Sequence, residues 1–174
     1  MIAHIIGNGP SKVHFKNEPK GKVFGCNFAS DDLELTATFI HDNRVFEHII
    51  RHNMKLKWPV INREQQLYKF SNCGGRIVVK DTYYPFNRET TCSSGHMGLM
   101  WLLSKGFTEV HIWGFDSLTS SIVDSDSKGK IDGSNPNAQL LPKWKKRFDE
   151  IFKQYKDCKR KIFIHQDEKN FISI

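Results

Sequence analysis

The stretch Ile5-Ile6-Gly7-Asn8-Gly9-Pro10-Ser11 closes an N-terminal apolar run, and its reading decides the fold. An apolar strand that ends in Gly-Asn-Gly-Pro-Ser turns tightly at its carboxyl end, which is where open α/β sheets bind ligands. Gly7 and Gly9 can take positive φ and lack a Cβ, so their backbone N–H groups can come close to a phosphate. Asn8 adds an amide and Ser11 a hydroxyl beside the turn. On these residues alone two readings stand, a ligand-binding turn and an ordinary strand-to-loop turn.

Outward from that turn, the chain alternates strand-like and helix-like segments. Residues 2–6, 22–28 and 35–40 read as strands, and 44–55 as a helix capped by Asp42 or Asn43, with Val45, Ile49 and Ile50 facing inward. Short strand-like runs follow at 59–62 and 76–80, then an irregular stretch from Asp81 to Thr91. Ser93-Ser94-Gly95 opens the clearest unit, a helix to Lys105 that is apolar nearly all round, closes at Gly106 and should lie buried against a sheet. Val110 to Asp116 is a strand with Asp116 at its carboxyl end, and residues 117–137 read as a long polar loop. Leu141, Trp144, Phe148, Ile151 and Tyr155 recur at helical spacing, and Ile162 to His165 is a last strand. The expectation is an α/β protein: a single Rossmann-like domain over 1–174, with a mostly parallel sheet flanked by helices.

At 174 residues the chain can bury a proper core, and a 39% hydrophobic share suits a globular protein. No apolar run approaches the ~20 residues needed to span a bilayer. The start, Met1-Ile-Ala-His, lacks the basic n-region of a signal peptide and reads as a structural strand. Cys26, Cys73, Cys92 and Cys158 are widely spaced, which points to free thiols in a reducing, cytoplasmic compartment rather than to disulfides or zinc. The formal net charge is +7, and most of it sits between Pro142 and Lys161, where nine basic residues face three acidic ones. Such a basic helix face either attracts nucleic acid or another anionic partner, or is simply solvated. Trp58 and the aromatic run Tyr83–Phe86 offer material for an oligomer interface.

Several of these features occur together in one order. They are Ile6-Gly7-Asn8-Gly9-Pro10-Ser11, Cys26-Asn27-Phe28, Ala37-Thr38-Phe39, Ser93-Ser94-Gly95 before the apolar helix, and Gly106 through Asp116. The set resembles bacterial sialyltransferases of the Campylobacter and Haemophilus lipooligosaccharide type. It is also similar to the wider group built on a Gly-x-Gly-Pro-Ser loop, archaeal pterin pyrophosphokinases included. The match covers residues 1–45 and 88–116.

The resemblance implies a Rossmann-like domain that holds a cytidine nucleotide, with Gly7, Asn8, Gly9, Ser11, Asn27, Ser94 and Gly95 as nucleotide contacts. It requires no metal and no cofactor, since the donor, a CMP-sugar, is itself a substrate. The start of the 94–105 helix presents free N–H groups and a positive dipole end to an anion. Taken singly, Ser94 also reads as a plain N-cap and Asn27 as a turn residue.

The chain departs from the family at the chemistry. The family's histidine base follows the segment of Asp116, yet no histidine occurs between Asp116 and Ile164, and Ser117–Gln154 holds no tyrosine. His165 does not correspond, and Tyr155 falls on the apolar stripe. Where the family has an asparagine after its third strand, this chain has His41 and Asp42. The lid is reduced to the 117–137 loop. A replacement base must stand at the same cleft edge; Asp116 comes first and His41 next, with Asp42 and His96 also within the set. Arg44 and Arg88 are candidate phosphate counter-charges or merely exposed arginines.

Asp124 to Asn135 mimics an EF-hand opening, but Lys128 stands at its fifth position and Asn135 at its twelfth, so calcium is not expected. Three functions therefore compete. The first is a metal-independent glycosyltransferase moving a sugar from a CMP-sugar to an acceptor hydroxyl. The second is a non-catalytic nucleotide-binding protein whose 142–161 helix takes nucleic acid or another anion. The third is a pyrophosphokinase-like phosphotransferase, which needs a magnesium site.

Overall fold

The computed structural model describes residues 1–16, 20–28, 32–62, 79–82, 93–118, 142–156, 159–167 and 169–174. β1 (Ile2–Ile6) runs through the middle of an eight-stranded sheet, and its first turn therefore opens at the sheet's centre. β2 (Lys22–Cys26), β3 (Ala37–Ile40), β4 (Val60–Asn62) and β5 (Val79–Thr82) extend the sheet on one side. β6 (Glu109–Trp113), β7 (Lys161–His165) and β8 (Phe171–Ser173) extend it on the other, giving the order β5-β4-β3-β2-β1-β6-β7-β8. Every neighbouring pair is parallel except β7 and β8. The strand order thus reverses between β1 and β6, the position at which doubly wound sheets open a ligand crevice.

The central strands are short apolar runs because both faces are covered, as parallel sheets require. On one face lie α2 (Ser94–Ser104) and α3 (Pro142–Tyr155), whose Met97, Leu102, Phe148 and Ile151 join Ala3, Ile5, Phe39 and Val110 in the main core. α2 is buried from Ser94 through Leu103, as its all-round apolar sequence demands. Gly98 lets it settle close, since a Cβ there would stand 2.6 Å from Ile5 Cδ1 and Phe39 Cδ2. The other face carries α1 (Asn43–Arg51), which packs Val45, Phe46 and Ile49 on Ile40 and Val60. Beside it Phe15, which follows a short 3-10 turn (Pro10–His14), packs on Ile6 and Trp113.

The sequence reading of an α/β domain with a mostly parallel sheet holds, and several boundaries shift for identifiable reasons. The strand expected over 22–28 ends at Cys26, because Asn27 turns into the left-handed region with φ of 55°. The helix expected to reach Lys55 ends at Arg51, followed by Asn53 with φ of 53°, and Ile50 is exposed rather than inward. Asp42 is its N-cap, accepting the Arg44 N–H. β8 was absent from the expectation. It returns antiparallel on β7 through a turn in which Asp167 accepts from the Asn170 side-chain amide and from the Asn170 and Lys169 N–H groups, a contact set that holds its carboxyl low, at about 2.

The basic segment is helical to Tyr155, with Phe148 and Ile151 buried and Tyr155 half-buried beneath Arg160. Trp58 is half-buried under Lys57. A second 3-10 turn covers Asp116–Leu118. The rest of the 117–137 loop lies outside the described residues, and with it the 124–135 segment. So do Leu141, Arg88, the Tyr83–Phe86 run, Cys73, Cys92 and Cys158. Cys26 is a free, buried thiol, whose pKa burial pushes up. Among the described residues no helix is long and apolar enough to cross a membrane.

Candidate functional site

The turn after β1 is fastened to the end of β6. Gly7 N–H donates to the Trp113 carbonyl at 2.7 Å and Gly9 N–H to the Gly114 carbonyl at 2.8 Å. The reason for the two glycines is therefore not the one expected. Positive φ belongs to Gly21, Gly106 and Gly114, while Gly9 is extended at φ −76°. What Gly7 and Gly9 lack is a Cβ, which would stand 2.4 Å from the Gly114 oxygen and 2.2 Å from Asp116 Oδ2 respectively. Their N–H groups are thus bonded to the neighbouring strand rather than held free for a phosphate.

Ser11 and Asp116 complete this seam. Asp116 Oδ1 and Oδ2 accept the Ser11 N–H at 3.2 and 3.1 Å, and the Ser11 hydroxyl donates to Oδ2 at 3.0 Å. The same hydroxyl accepts the Gly114 N–H at 3.1 Å. Asp116 thus caps the 3-10 turn that opens at Pro10, and Ser11 is buried behind it.

On the opposite side of the turn the expected polar residues converge. Asn8 Nδ2 donates to the Cys26 carbonyl at 3.3 Å, which brings it to the end of β2. The next residue, Asn27, accepts through Oδ1 from the Ser94 hydroxyl at 2.8 Å, and its carbonyl accepts from Thr38 Oγ1 at 2.9 Å. Ser94 Oγ in turn accepts the His41 N–H at 3.0 Å. Asn8, Asn27, Ser94 and the backbone of His41 are so gathered at the carboxyl ends of β1, β2 and β3, beside the start of α2. Asn8 Oδ1 is buried and has no partner in the protein. A buried acceptor left open in this way is costly unless something else fills it.

Ser93, not Ser94, is the N-cap of α2, and His96 closes the capping box with it: Ser93 N–H donates to His96 Nδ1 at 3.0 Å. His96 is wholly buried against Phe148, with ring centroids 4.0 Å apart, so it is removed from the candidate bases. The opening N–H groups of a helix have no intrahelical partner, and the Ser93 hydroxyl takes that of His96. Gly95 follows Ser94 in that first turn and lies against Phe115, where a Cβ would stand 2.3 Å from Cε1.

Asp42 and Arg44 form a pair at the start of α1, 2.9 Å apart and largely exposed. Burial pulls the Asp42 carboxyl up, but the Arg44 guanidinium and backbone N–H outweigh it and hold the group below its usual range. Arg44 is correspondingly held protonated by Asp42.

One cluster escaped the sequence reading because its members lie on different strands. His4 of β1, His111 of β6 and Phe163 of β7 are register partners and stack across the sheet, with centroids 4.8 Å apart at each step. His111 links Glu109 Oε1 (2.9 Å) to His165 Nε2 (2.8 Å), and His165 lies flat on Trp113 at 3.7 Å. Trp113 Nε1 donates to His4 Nδ1 at 3.3 Å. Burial, reinforced by the neighbouring imidazoles, pushes both His4 and His165 down to about 4. Among the described residues no group of three or more His, Cys, Asp or Glu could hold a metal ion.

No family model and no curated protein matches the chain in sequence. Its fold is similar to that of solved sialyltransferases. One is CST-II in complex with a trisaccharide acceptor and CMP, at 15% identity and a TM-score of 0.55 over 99% of this chain and 90% of that one. Another is CstII from Campylobacter jejuni in complex with the substrate analogue CMP-3FNeuAc, at 17% identity and a TM-score of 0.56 over 99% and 89%. The likeness is one of fold: a Rossmann-like α/β architecture.

Proposed function

We propose that the chain is a glycosyltransferase-like enzyme that binds a CMP-type nucleotide-sugar and transfers the sugar to an acceptor hydroxyl by direct displacement. The observation that carries this reading is the convergence of Asn8, Asn27 and Ser94 at the start of α2, with the Asn8 oxygen left open for a donor group of a ligand. In this reading the first-turn N–H groups of Ser94 and Gly95 receive the phosphate and stabilise the leaving CMP as negative charge collects on it. Gly7, Gly9 and Ser11 act behind this surface, holding the turn in place. The fold likeness to proteins solved with CMP and CMP-3FNeuAc supports the same reading.

Displacement needs one base at the acceptor hydroxyl, and the two candidates differ in position. Both oxygens of Asp116 receive Ser11 in the seam behind the turn, whereas His41 follows β3 directly and its backbone N–H joins it to the Ser94–Asn27 group, where the polar residues gather. His41 is therefore the base in this proposal, an imidazole being the commonest side chain in that role, and Asp116 organises the turn.

The test is thermal unfolding with CMP, UMP and AMP, followed by transfer from CMP-sugars. A ligand at a hundred times its Kd stabilises a fold by ~2.7 kcal/mol, so CMP should raise Tm clearly and Asn8→Ala should abolish the rise. Absence of any nucleotide effect on the unaltered protein would overturn the proposal.

A further inference from the structure

Asn62 ends β4 and is 1% exposed, yet its Oδ1 is buried without a hydrogen-bond partner. Nothing in the strand explains the choice of an amide there. Its register partner on β3 is Ile40, and it shares the sheet face of Val60, which packs on Val45, Phe46 and Ile49 of α1. A leucine or valine would suit those surroundings and would leave no acceptor stranded. Residues that break a local rule without compensation within the fold are commonly functional.

Position gives the function a direction. β4 is parallel to β3, β2 and β1, so Asn62 stands at the same carboxyl edge as Asn8 and Asn27. Three strand spacings separate β1 from β4, about 14 Å. That is further than a single polar group reaches and within the span of an extended nucleotide-sugar. The chemistry of the open atom narrows the choice again. An Oδ1 oxygen can only accept, and a phosphate or carboxylate at neutral pH has no proton to give it. A partner for the Asn62 oxygen must therefore be a donor, and on a nucleotide-sugar the neutral donors are hydroxyl and amide N–H groups.

From this juxtaposition we infer that Asn62 is a specificity-determining contact for the glycosyl part of the donor, accepting a hydrogen bond from a sugar hydroxyl or acylamino N–H while Asn8 and Asn27 hold the nucleotide. The inference rests on the nucleotide-sugar reading given above and extends it to a strand that reading does not use.

Isothermal titration with two probes, CMP and CMP-3FNeuAc, separates the two. Unaltered protein should bind CMP-3FNeuAc more tightly than CMP. Asn62→Leu should keep CMP affinity within twofold, weaken CMP-3FNeuAc at least tenfold, and unfold at the same or a higher temperature because a stranded acceptor has gone. A structural role predicts the opposite signature, a lower Tm with both ligands weakened alike, and that result overturns the inference. So does a variant that binds both probes as before, or an unaltered protein that gains nothing from the sugar. Should the leucine variant fail to fold, Asn62→Ala is read by the same criteria. If unaltered protein binds neither probe, it is the nucleotide-sugar reading that falls, not the assignment within it.

Discussion

Ser94 Oγ and Asn27 Oδ1 lie 2.8 Å apart, and this one bond joins the carboxyl end of β2 to the first turn of α2. Because Ser94 also accepts the His41 N–H, three elements meet at a single hydroxyl. Ser94→Ala strands both partners, and it should cost about 1–3 kcal/mol of stability. Asn27→Ala should cost more, since an alanine at φ of 55° adds roughly 1–2 kcal/mol of left-handed strain. Asn27→Gly should recover that strain and not the hydrogen bond. Urea unfolding of the three variants tests the order.

Gly7→Ala and Gly9→Ala each force a side chain into occupied space, and each should destabilise by about 1–3 kcal/mol. Their obstacles differ: backbone oxygen of Gly114 for Gly7, the Asp116 carboxylate first for Gly9. Adding Asp116→Ala should therefore restore part of the Gly9→Ala loss and none of the Gly7→Ala loss. Equal coupling in the two double-mutant cycles would contradict this account.

His4 and His165 stay neutral in the fold, held down to about 4 against an ordinary 6.5. Above pH 6.5 neither state takes the proton and the stability is fully present. Between 6.5 and 4 the unfolded chain binds protons that the fold refuses, so stability should fall steadily through that window. Unfolding near pH 5 should take up close to two protons. His165→Phe keeps a ring on Trp113 and should halve the pH slope of the denaturation midpoint.

His41→Gln should lower transfer from a CMP-sugar by at least about a hundredfold with CMP affinity and Tm little changed, if a positioned base contributes its usual share. Asp116→Asn should instead lower Tm, because the carboxylate that receives Ser11 becomes a weaker acceptor. Initial rates alongside thermal melts separate the two roles. A collapse of turnover in Asp116→Asn at unchanged Tm would transfer the base to Asp116.

Local pattern was enough to read the β1 turn, the buried α2 helix and the α/β alternation, since each is written in consecutive residues with a clear period. The purpose of Gly7 and Gly9 was misread because their constraint comes from Gly114 and Asp116, more than a hundred positions away. Ser94 was legible as a member of the candidate site, but Ser93 as the cap was not, because both serines satisfy the same local rule. The histidine row was invisible for a related reason: His4, His111 and His165 become neighbours only through strand register. Asn62 left no signal at all, as a lone asparagine after Val60-Ile61 reads as the end of a strand.

The seam between Gly9, Ser11, Gly114 and Asp116 has a thermodynamic corollary. On the proposed reading one wall of the nucleotide site is set while the chain folds, so a ligand arriving there immobilises little backbone and keeps more of its contact energy as affinity. Loosening that seam should consequently show itself as weaker nucleotide binding with a larger entropic penalty, even where no residue touching the nucleotide has been altered.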